Sequence, residues 1–411
     1  MAELRPSPLA PAQFPKLPEL AGIKLATAAT GLKYKDRDDL FLMLADEGTS
    51  FAGVFTKSAT AAAPVHVSRA GLKNGRARAV LTNAGNANAF TGRAGDAAIS
   101  TYRSAFAAAL GLTEDQILIA STGVIGEPLD GYAIADFATQ LREQTGTASW
   151  HDAALAIRTT DTFAKGASRS FLLEGQPVTI NGIAKGSGMI APNMATMLAY
   201  IATDAAIAPA CLQQMLEKAL SASFNSITVD SDTSTSDSVY LLATQKARHL
   251  QITNMDSKLG ETVYTALQEV MIDLAQQIIK DGEGASKFIT VRVSAAETDT
   301  DARTIAFAIA NSPLVKTAIA GADANWGRIV MAVGKSGAKA DRDRLEISIG
   351  GVVITQNGQR KVGYDEAPVA AHMAGDDIDI LVDMGLGSGE AVVWTCDLTH
   401  GYIAINADYR S

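Results

Sequence analysis

The chain has 411 residues, 47% of them apolar and 19% charged, enough for about two to three domains with substantial cores. Its formal net charge of −9 argues against a nucleic-acid groove, which would show a basic patch. The only two cysteines, Cys211 and Cys396, cannot by themselves form a disulfide framework or a cysteine-based zinc site, and they point to a reducing compartment.

Taken in order, residues 1–20 hold five of the twelve prolines and read as a surface tether without the apolar core of a signal peptide. Strand-like runs follow at 24–34 and 40–55, and again at 77–82. The last of these passes into Asn83-Ala-Gly-Asn-Ala-Asn-Ala89, a turn-rich tail whose side chains bond local backbone. An alanine-rich helix is predicted over 95–110 and a short buried strand over 116–120, ending in Ser121-Thr-Gly-Val-Ile-Gly126. A hydroxyl and a glycine at a strand's end can aim O–H and N–H donors at one point; the same residues also suit a plain strand–turn. Helices are predicted over 129–144 and 149–159, the second closing on Thr159-Thr-Asp-Thr162, and a hairpin over 171–183 turns at Glu174-Gly175-Gln176.

Beyond the hairpin lies Lys185-Gly-Ser-Gly-Met-Ile-Ala-Pro-Asn-Met-Ala-Thr-Met-Leu-Ala-Tyr200. It begins like a phosphate loop, Gly186-x-Gly188, but Pro192 biases Ala191 away from helix, and an apolar run with the texture of a buried strand follows from Met194 to Ile201. Thr196 sits mid-run behind the small Ala195. A cut between them would leave an N-terminal threonine carrying nucleophile and general base on one residue. An ordinary strand threonine bonded to a neighbouring carbonyl fits the same residues.

Further on, the pattern predicts a helix over 209–221, a strand over 238–244 and a long helix over 257–280 with Val263, Leu267, Val270, Leu274 and Ile278 on one face. Asp281-Gly-Glu-Gly-Ala285 breaks the pattern and divides the chain into 1–285 and 286–411. Glu283, between two glycines, suits a carboxylate aimed at a ligand or a solvated turn. Then come a strand (288–293), a helix (300–310), the segment 321–328, and strands at 345–355, 378–383, 391–397 and 401–406. Hairpins mixed with helices suggest layered α/β, not a doubly wound parallel sheet. The most apolar window, 189–212, is broken by Pro192, Asn193, Asp204 and Pro209 and falls short of the roughly 20 apolar residues of a membrane span. The protein reads as soluble and cytoplasmic.

Two other constellations compete. Asp230-Ser-Asp-Thr233 after an apolar run mimics the aspartyl-phosphate motif of Mg-dependent phosphatases, with Asp230 and Asp232 as the acting carboxylates and Gly375-Asp-Asp377 as further metal ligands. Gly186-x-Gly188-x-x-Ala191 with Asp204 beyond fits a loose dinucleotide fingerprint. The five histidines are scattered, with no HExxH, and GxSxG is missing, so neither metal nor Ser-His chemistry is expected.

The run KGSGMIAPNMATMLAYIATDA resembles the self-cleavage block of the ornithine acetyltransferases, the glutamate N-acetyltransferases of arginine biosynthesis. The Asn-rich tail after residue 82, the Thr122-Gly123 pair, the DSDTST stretch from Asp230 and the C-terminal tail match further blocks, so the resemblance spans nearly the whole chain. It implies an α/β-β-α layered sandwich of mixed and antiparallel sheets with a smaller C-terminal α/β domain. It implies cleavage between Ala195 and Thr196 into chains 1–195 and 196–411, giving an αβ unit assembled as α₂β₂ or larger. Thr196 then becomes the nucleophile and its α-amine the base, with Thr122 and Gly123 as the oxyanion hole. The substrate contacts fall on Thr159 or its neighbour Thr160, and on Lys185, Thr196, Glu283, Asn406 and Ser411. The reaction implied moves acetyl from N²-acetylornithine to glutamate without cofactor or metal; some members also use acetyl-CoA as donor.

Overall fold

A computed structural model describes residues 5–73, 75, 77–191 and 197–407 of the protein. The chain divides into two compact units: Ala12–Asn225 with Asp232–Ile278, and Met1–Pro11 with Ser226–Ser231 and Ile279–Ser411.

The larger unit is built on two sheets. The first runs β1 (Ile23–Ala28), β2 (Leu40–Ala45), β4 (Ala79–Asn86), β5 (Ile117–Val124); the second runs β3 (Ser50–Phe55), β10 (Ser238–Ala243), β8 (Leu198–Thr203), β7 (Gln176–Lys185), β6 (Lys165–Leu173). Successive side chains of a strand point to opposite faces, and the first sheet shows what that does. Phe41 and Met43 of β2, Val80 of β4, and Leu118 and Ala120 of β5 pack against Ile183, Leu198, Tyr200, Ala202, Tyr240 and Leu242 of the second sheet. The alternate residues Leu40, Leu42, Ala79, Leu81, Ile117 and Ile119 face the other way, onto Ile99, Tyr102 and Phe106 of the helix Gly92–Leu110. On the outer side of the second sheet, Gly182 of β7 lies under Val270 and Leu274 of the helix Lys258–Lys280; a Cβ there would stand 2.9 Å from Leu274 Cδ1. The result is helix, sheet, sheet, helix, the layered α/β sandwich expected of the sequence.

Two tyrosines tie the facing sheets together. Tyr200 and Tyr240 are stacked with ring centroids 5.8 Å apart, and Phe41 meets Tyr200 edge-on at 5.2 Å. Their hydroxyls cross the layer: Tyr200 shares a 2.6 Å hydrogen bond with Thr82 Oγ1, and Tyr240 donates to the Ile119 carbonyl at 3.1 Å. Buried phenols need such partners.

The smaller unit carries a seven-stranded sheet in the order β14 (Gln359–Arg360), β13 (Val352–Gln356), β12 (Glu346–Ile349), β15 (Asp377–Asp383), β11 (Phe288–Ala296), β16 (Gly389–Cys396), β9 (Ile227–Thr228). Because β9 lies parallel beside β16, residues 226–231 leave the larger unit in sequence and belong here. Val291, Ile347, Ile380, Val382 and Val393 face Ile305, Ile309 and Val333 of the helices Asp299–Ala310 and Trp326–Gly334. Thr298 caps the helix Asp299–Ala310 by accepting the N–H of Asp301, and Ser312 caps the helix Pro313–Ala320 by accepting that of Val315, with Pro313 in its first turn.

Several elements differ from the sequence-based expectation. The run 40–55 is two strands, because the turn over 46–49 takes the chain from β2 in the first sheet to β3 in the second. The helix expected over 129–144 is two short ones, Gly131–Ala135 and Ala138–Glu143. The strand expected over 401–406 is the helix His400–Ala407: a short apolar run fits either element, and here Thr399 Oγ1 accepts the Gly401 N–H at 3.0 Å and starts a helix. The helices Pro313–Ala320, Trp326–Gly334 and Ala367–Met373 were not foreseen. Among the described residues no helix is long and apolar enough to cross a membrane.

The inter-sheet hydroxyl pair yields a stability prediction. Tyr200→Phe orphans the Thr82 hydroxyl, which is 1% exposed, and should cost about 1–3 kcal/mol in urea unfolding. Adding Thr82→Val removes the orphan and should restore most of that; a further loss in the double variant would show that the two hydroxyls are satisfied independently.

Candidate active site

The Thr122-Gly123 pair stands where β5 ends beside β4. The two strands are parallel and in register through Ala84↔Thr122 and Gly85↔Gly123, after which the pairing shifts at Asn86. Gly123 has φ +132°, and a Cβ on it would lie 2.2 Å from the Gly85 carbonyl carbon and 2.6 Å from the Asn86 nitrogen. Backbone therefore presses on backbone, which only glycine permits. The Asn-rich tail holds this arrangement: Ser121 Oγ donates to Asn83 Oδ1 at 2.6 Å, Asn83 Nδ2 donates to the Asn86 carbonyl at 2.9 Å, and Asn86 Oδ1 accepts the Asn88 N–H at 2.7 Å.

Lys185, the last residue of β7, reaches this point. Its Nζ donates to Thr122 Oγ1 at 3.1 Å, with both side chains buried. One hydroxyl lone pair is thereby engaged by an ammonium, and the hydroxyl's own proton is directed elsewhere. Behind Lys185 lies Asp161, 6% exposed. Asp161 Oδ1 accepts from Lys165 Nζ at 2.7 Å and from the Gly186 N–H at 2.6 Å; Oδ2 accepts from the Thr159 N–H at 3.0 Å. Burial opposes ionisation of Asp161, but the Lys165 and Lys185 charges and the hydrogen bonds from Lys165 and Gly186 outweigh it and hold the carboxyl well below the usual range. Thr160 Oγ1 and Ser187 Oγ share a 2.7 Å hydrogen bond alongside. Thr122, Thr159, Thr160 and Lys185 are thus brought together with Asp161, Lys165 and Ser187, which the sequence reading did not single out. The signal was faint: Asp161 and Lys165 are four apart, a spacing that elsewhere marks a solvated helical pair.

Asp237 is a second carboxyl that sequence reasoning missed. It precedes β10 in parallel register with β8, and the next N–H, that of Ser238, donates to the Met197 carbonyl at 3.1 Å. Asp237 is 2% exposed, and its two carboxyl oxygens lack a well-aligned hydrogen-bond partner among the described residues. Burial pushes it well above the usual carboxylate range, against the weaker opposing pull of the Met197 N–H, the Lys185 charge and the Ser234 hydroxyl. The expected cleavage pair, Ala195 and Thr196, lies outside the described residues, as does Ser411.

Glu283 and Asn406 meet within the smaller unit, where Asn406 Nδ2 donates to Glu283 Oε2 at 2.7 Å. Gly284 has φ +73°, and a Cβ there would stand 2.4 Å from the Tyr402 nitrogen, so the helix His400–Ala407 sits directly on the Gly-Glu-Gly turn. The competing constellations find less support. Gly186-x-Gly188 follows β7, but no helix occurs among the described residues before β8, which runs antiparallel to β7. Asp230 Oδ2 accepts from the Tyr402 hydroxyl at 3.2 Å, and no group of three or more metal-ligating side chains occurs among the described residues.

The raised Asp237 makes a pH prediction. The folded chain keeps this proton where the unfolded chain has released it, above about pH 3.9, so its contribution to stability falls as pH rises. The melting temperature of Asp237→Asn minus that of the wild type should therefore increase from about pH 4 to about pH 7. A flat or falling difference would show that Asp237 is ionised in the folded chain.

Comparison with known proteins identifies the family. The profile of the ArgJ family matches residues 24–411. The arginine biosynthesis bifunctional protein ArgJ of Agrobacterium fabrum is 53% identical over 408 residues, covering 98% of this chain and 99% of that protein. The protein of the same name from Zymomonas mobilis is 51% identical over 405 residues, covering 98% and 99%. A crystal structure of arginine biosynthesis bifunctional protein argJ from Bacillus halodurans, 41% identical, covers 50% of this chain and 95% of that chain with a TM-score of 0.48. With a family match across 24–411 and relatives above half identity over nearly the full length, this chain belongs to the ArgJ family.

Proposed function

We propose that this protein transfers an acetyl group from N²-acetylornithine to glutamate in arginine biosynthesis, through an acetyl ester on Thr196 formed after the chain cuts itself between Ala195 and Thr196. The observation that carries the reading is the Lys185–Thr122 contact beside Gly123, a donor cluster at the end of a strand. The names of the full-length relatives place them in arginine biosynthesis.

Each step has a physical reason. A backbone amide nitrogen is no base, so cleavage precedes catalysis. The freed α-amine has an unperturbed pKa of about 7.7–8.0, which leaves a useful fraction unprotonated near neutrality. Thr196 Oγ attacks the acetyl carbonyl, and its proton passes to the α-amine. The Thr122 hydroxyl and the Gly123 N–H receive the developing oxyanion, worth about 3–4 kcal/mol per well-placed donor. Collapse breaks the amide C–N bond, and the α-amine returns the proton to the departing amine of ornithine. The amine of glutamate then attacks the ester and restores Thr196. Lys185, within reach of the same point, also suits an amino-acid carboxylate, and acetyl-CoA is a second candidate donor for the same ester. The cut chains, 1–195 and 196–411, stay together as an αβ unit, paired as α₂β₂ or larger.

Denaturing mass spectrometry should find two pieces, the second beginning Thr196-Met-Leu, whereas Thr196→Ala should give one uncut, inactive species. A single full-length mass from active enzyme would sink the cleavage.

With acetylornithine alone, the piece starting at Thr196 should gain an acetyl mass that glutamate removes, and double-reciprocal plots at fixed glutamate should be parallel. Intersecting lines without a trapped acetyl ester would mean direct transfer in a ternary complex. Thr122→Val should lower kcat by about a hundredfold or more, while unchanged turnover would remove Thr122 from the oxyanion hole.

A further inference from the structure

Asp161 joins two segments that both reach the donor cluster. It lies between Thr160 and Thr162 in one, and accepts the Gly186 N–H, next to Lys185, from the other. The Thr159 N–H occupies its second oxygen, and the Thr160–Ser187 hydroxyl bond fastens the same two segments again. Gly186 has φ +149°, a conformation open to glycine, and its N–H donates to the carboxylate. The ammonium of Lys185 is at the same time laid against Thr122 Oγ1. A buried ion pair such as Lys165–Asp161, with both side chains 0% exposed, is poor as a pure stabiliser, because an apolar pair of similar volume does as well. What an apolar pair cannot do is accept two backbone N–H groups and fix where Lys185 ends.

We infer that Asp161 is a positioning residue for the acetyl-transfer site: through the Gly186 N–H it sets the place of the Lys185 ammonium against Thr122, and Lys165, 2.7 Å from the same carboxylate, serves to hold Asp161 in place for that task. The inference rests on the proposed role of Thr122 as oxyanion donor. It differs from a structural role in one respect: loss of Asp161 acts on turnover through Thr122.

The test compares Asp161→Asn/Lys165→Met, which removes the buried pair as a unit, with Thr122→Val and the triple variant, all in the full chain. The pair variant leaves one backbone N–H without its acceptor, so it should melt below the wild type but stay folded, and lose kcat by about tenfold to a hundredfold, the scale of a small misplacement in an active site. In the Thr122→Val background the same pair replacement should cost less than about twofold, since residues that act through one another are non-additive. Full kcat in the pair variant would reduce Asp161 and Lys165 to structural partners. Equal losses in both backgrounds would overturn Asp161's action through Thr122 while leaving Thr122 as donor, and a fully active Thr122→Val would overturn the parent reading and this one together. If the pair variant does not fold, Asp161→Glu decides. It keeps the charge and the Lys165 pair but moves the acceptor by one methylene, and should lower kcat about tenfold or more. Unchanged kcat there overturns the inference.

Discussion

A carboxylate placed between two buried ammonium groups is the constraint around which the polar end of the larger unit is arranged. Asp161 lies in a region where an uncompensated charge would be very costly, and every contact it makes answers that cost: Lys165 on one oxygen, backbone N–H groups on both, Lys185 nearby. Removing any one partner leaves a charge or an N–H stranded. The loop 159–162 is therefore fixed against the end of β7 and the turn that follows it, 185–187. The loop gains in this way a precision usually given by strands and helices.

The sandwich explains why such a cluster forms where it does. Between the sheets the core is aliphatic and aromatic, and its few polar atoms, the Tyr200 and Tyr240 hydroxyls, are spent on bonds across the layer. Strand ends are different, because beyond them the chain leaves the apolar layer and polar side chains can gather. Thr122 and Gly123 precede Val124, the last residue of β5; Lys185 ends β7, and Asp237 precedes β10. The tight approach of Gly123 to Gly85 belongs to the same economy of space: without side chains there, the ends of β4 and β5 close up until backbone touches backbone.

Much of this was legible in the sequence, for reasons that can be named. The face Val263, Leu267, Val270, Leu274, Ile278 reads at helical period, and all five are buried on the helix Lys258–Lys280. The hairpin of β6 and β7 turns at Glu174-Gly175, both at positive φ; the glycine is the residue that made the turn readable. The Thr122-Gly123 pair was legible as a strand's end. Asp161, Lys165 and Asp237 were not, since charge normally signals solvent and burial of an ion pair depends on segments far apart in the chain. The helix Trp326–Gly334 was missed although Asn325 caps it through the Arg328 N–H, because the glycines at 321 and 327 mask the signal.

The C-terminal helix shows how a polar contact can do the work of a core. An isolated helix of eight residues is far too short to be stable alone, and His400–Ala407 has no buried side chain; Ile403 is 65% exposed. What fastens it is polar. Thr399 Oγ1 donates to the Gly284 carbonyl at 2.6 Å, the Tyr402 hydroxyl to Asp230, and Asn406 Nδ2 to Glu283. Gly284 adds the close approach that a side chain would forbid. Glu283 is thus an anchor of the helix as well as a candidate ligand. A carboxylate held by an amide donor keeps its orientation while further lone pairs stay able to accept. For the same reason, replacing Glu283 would disturb both the helix and any ligand it holds.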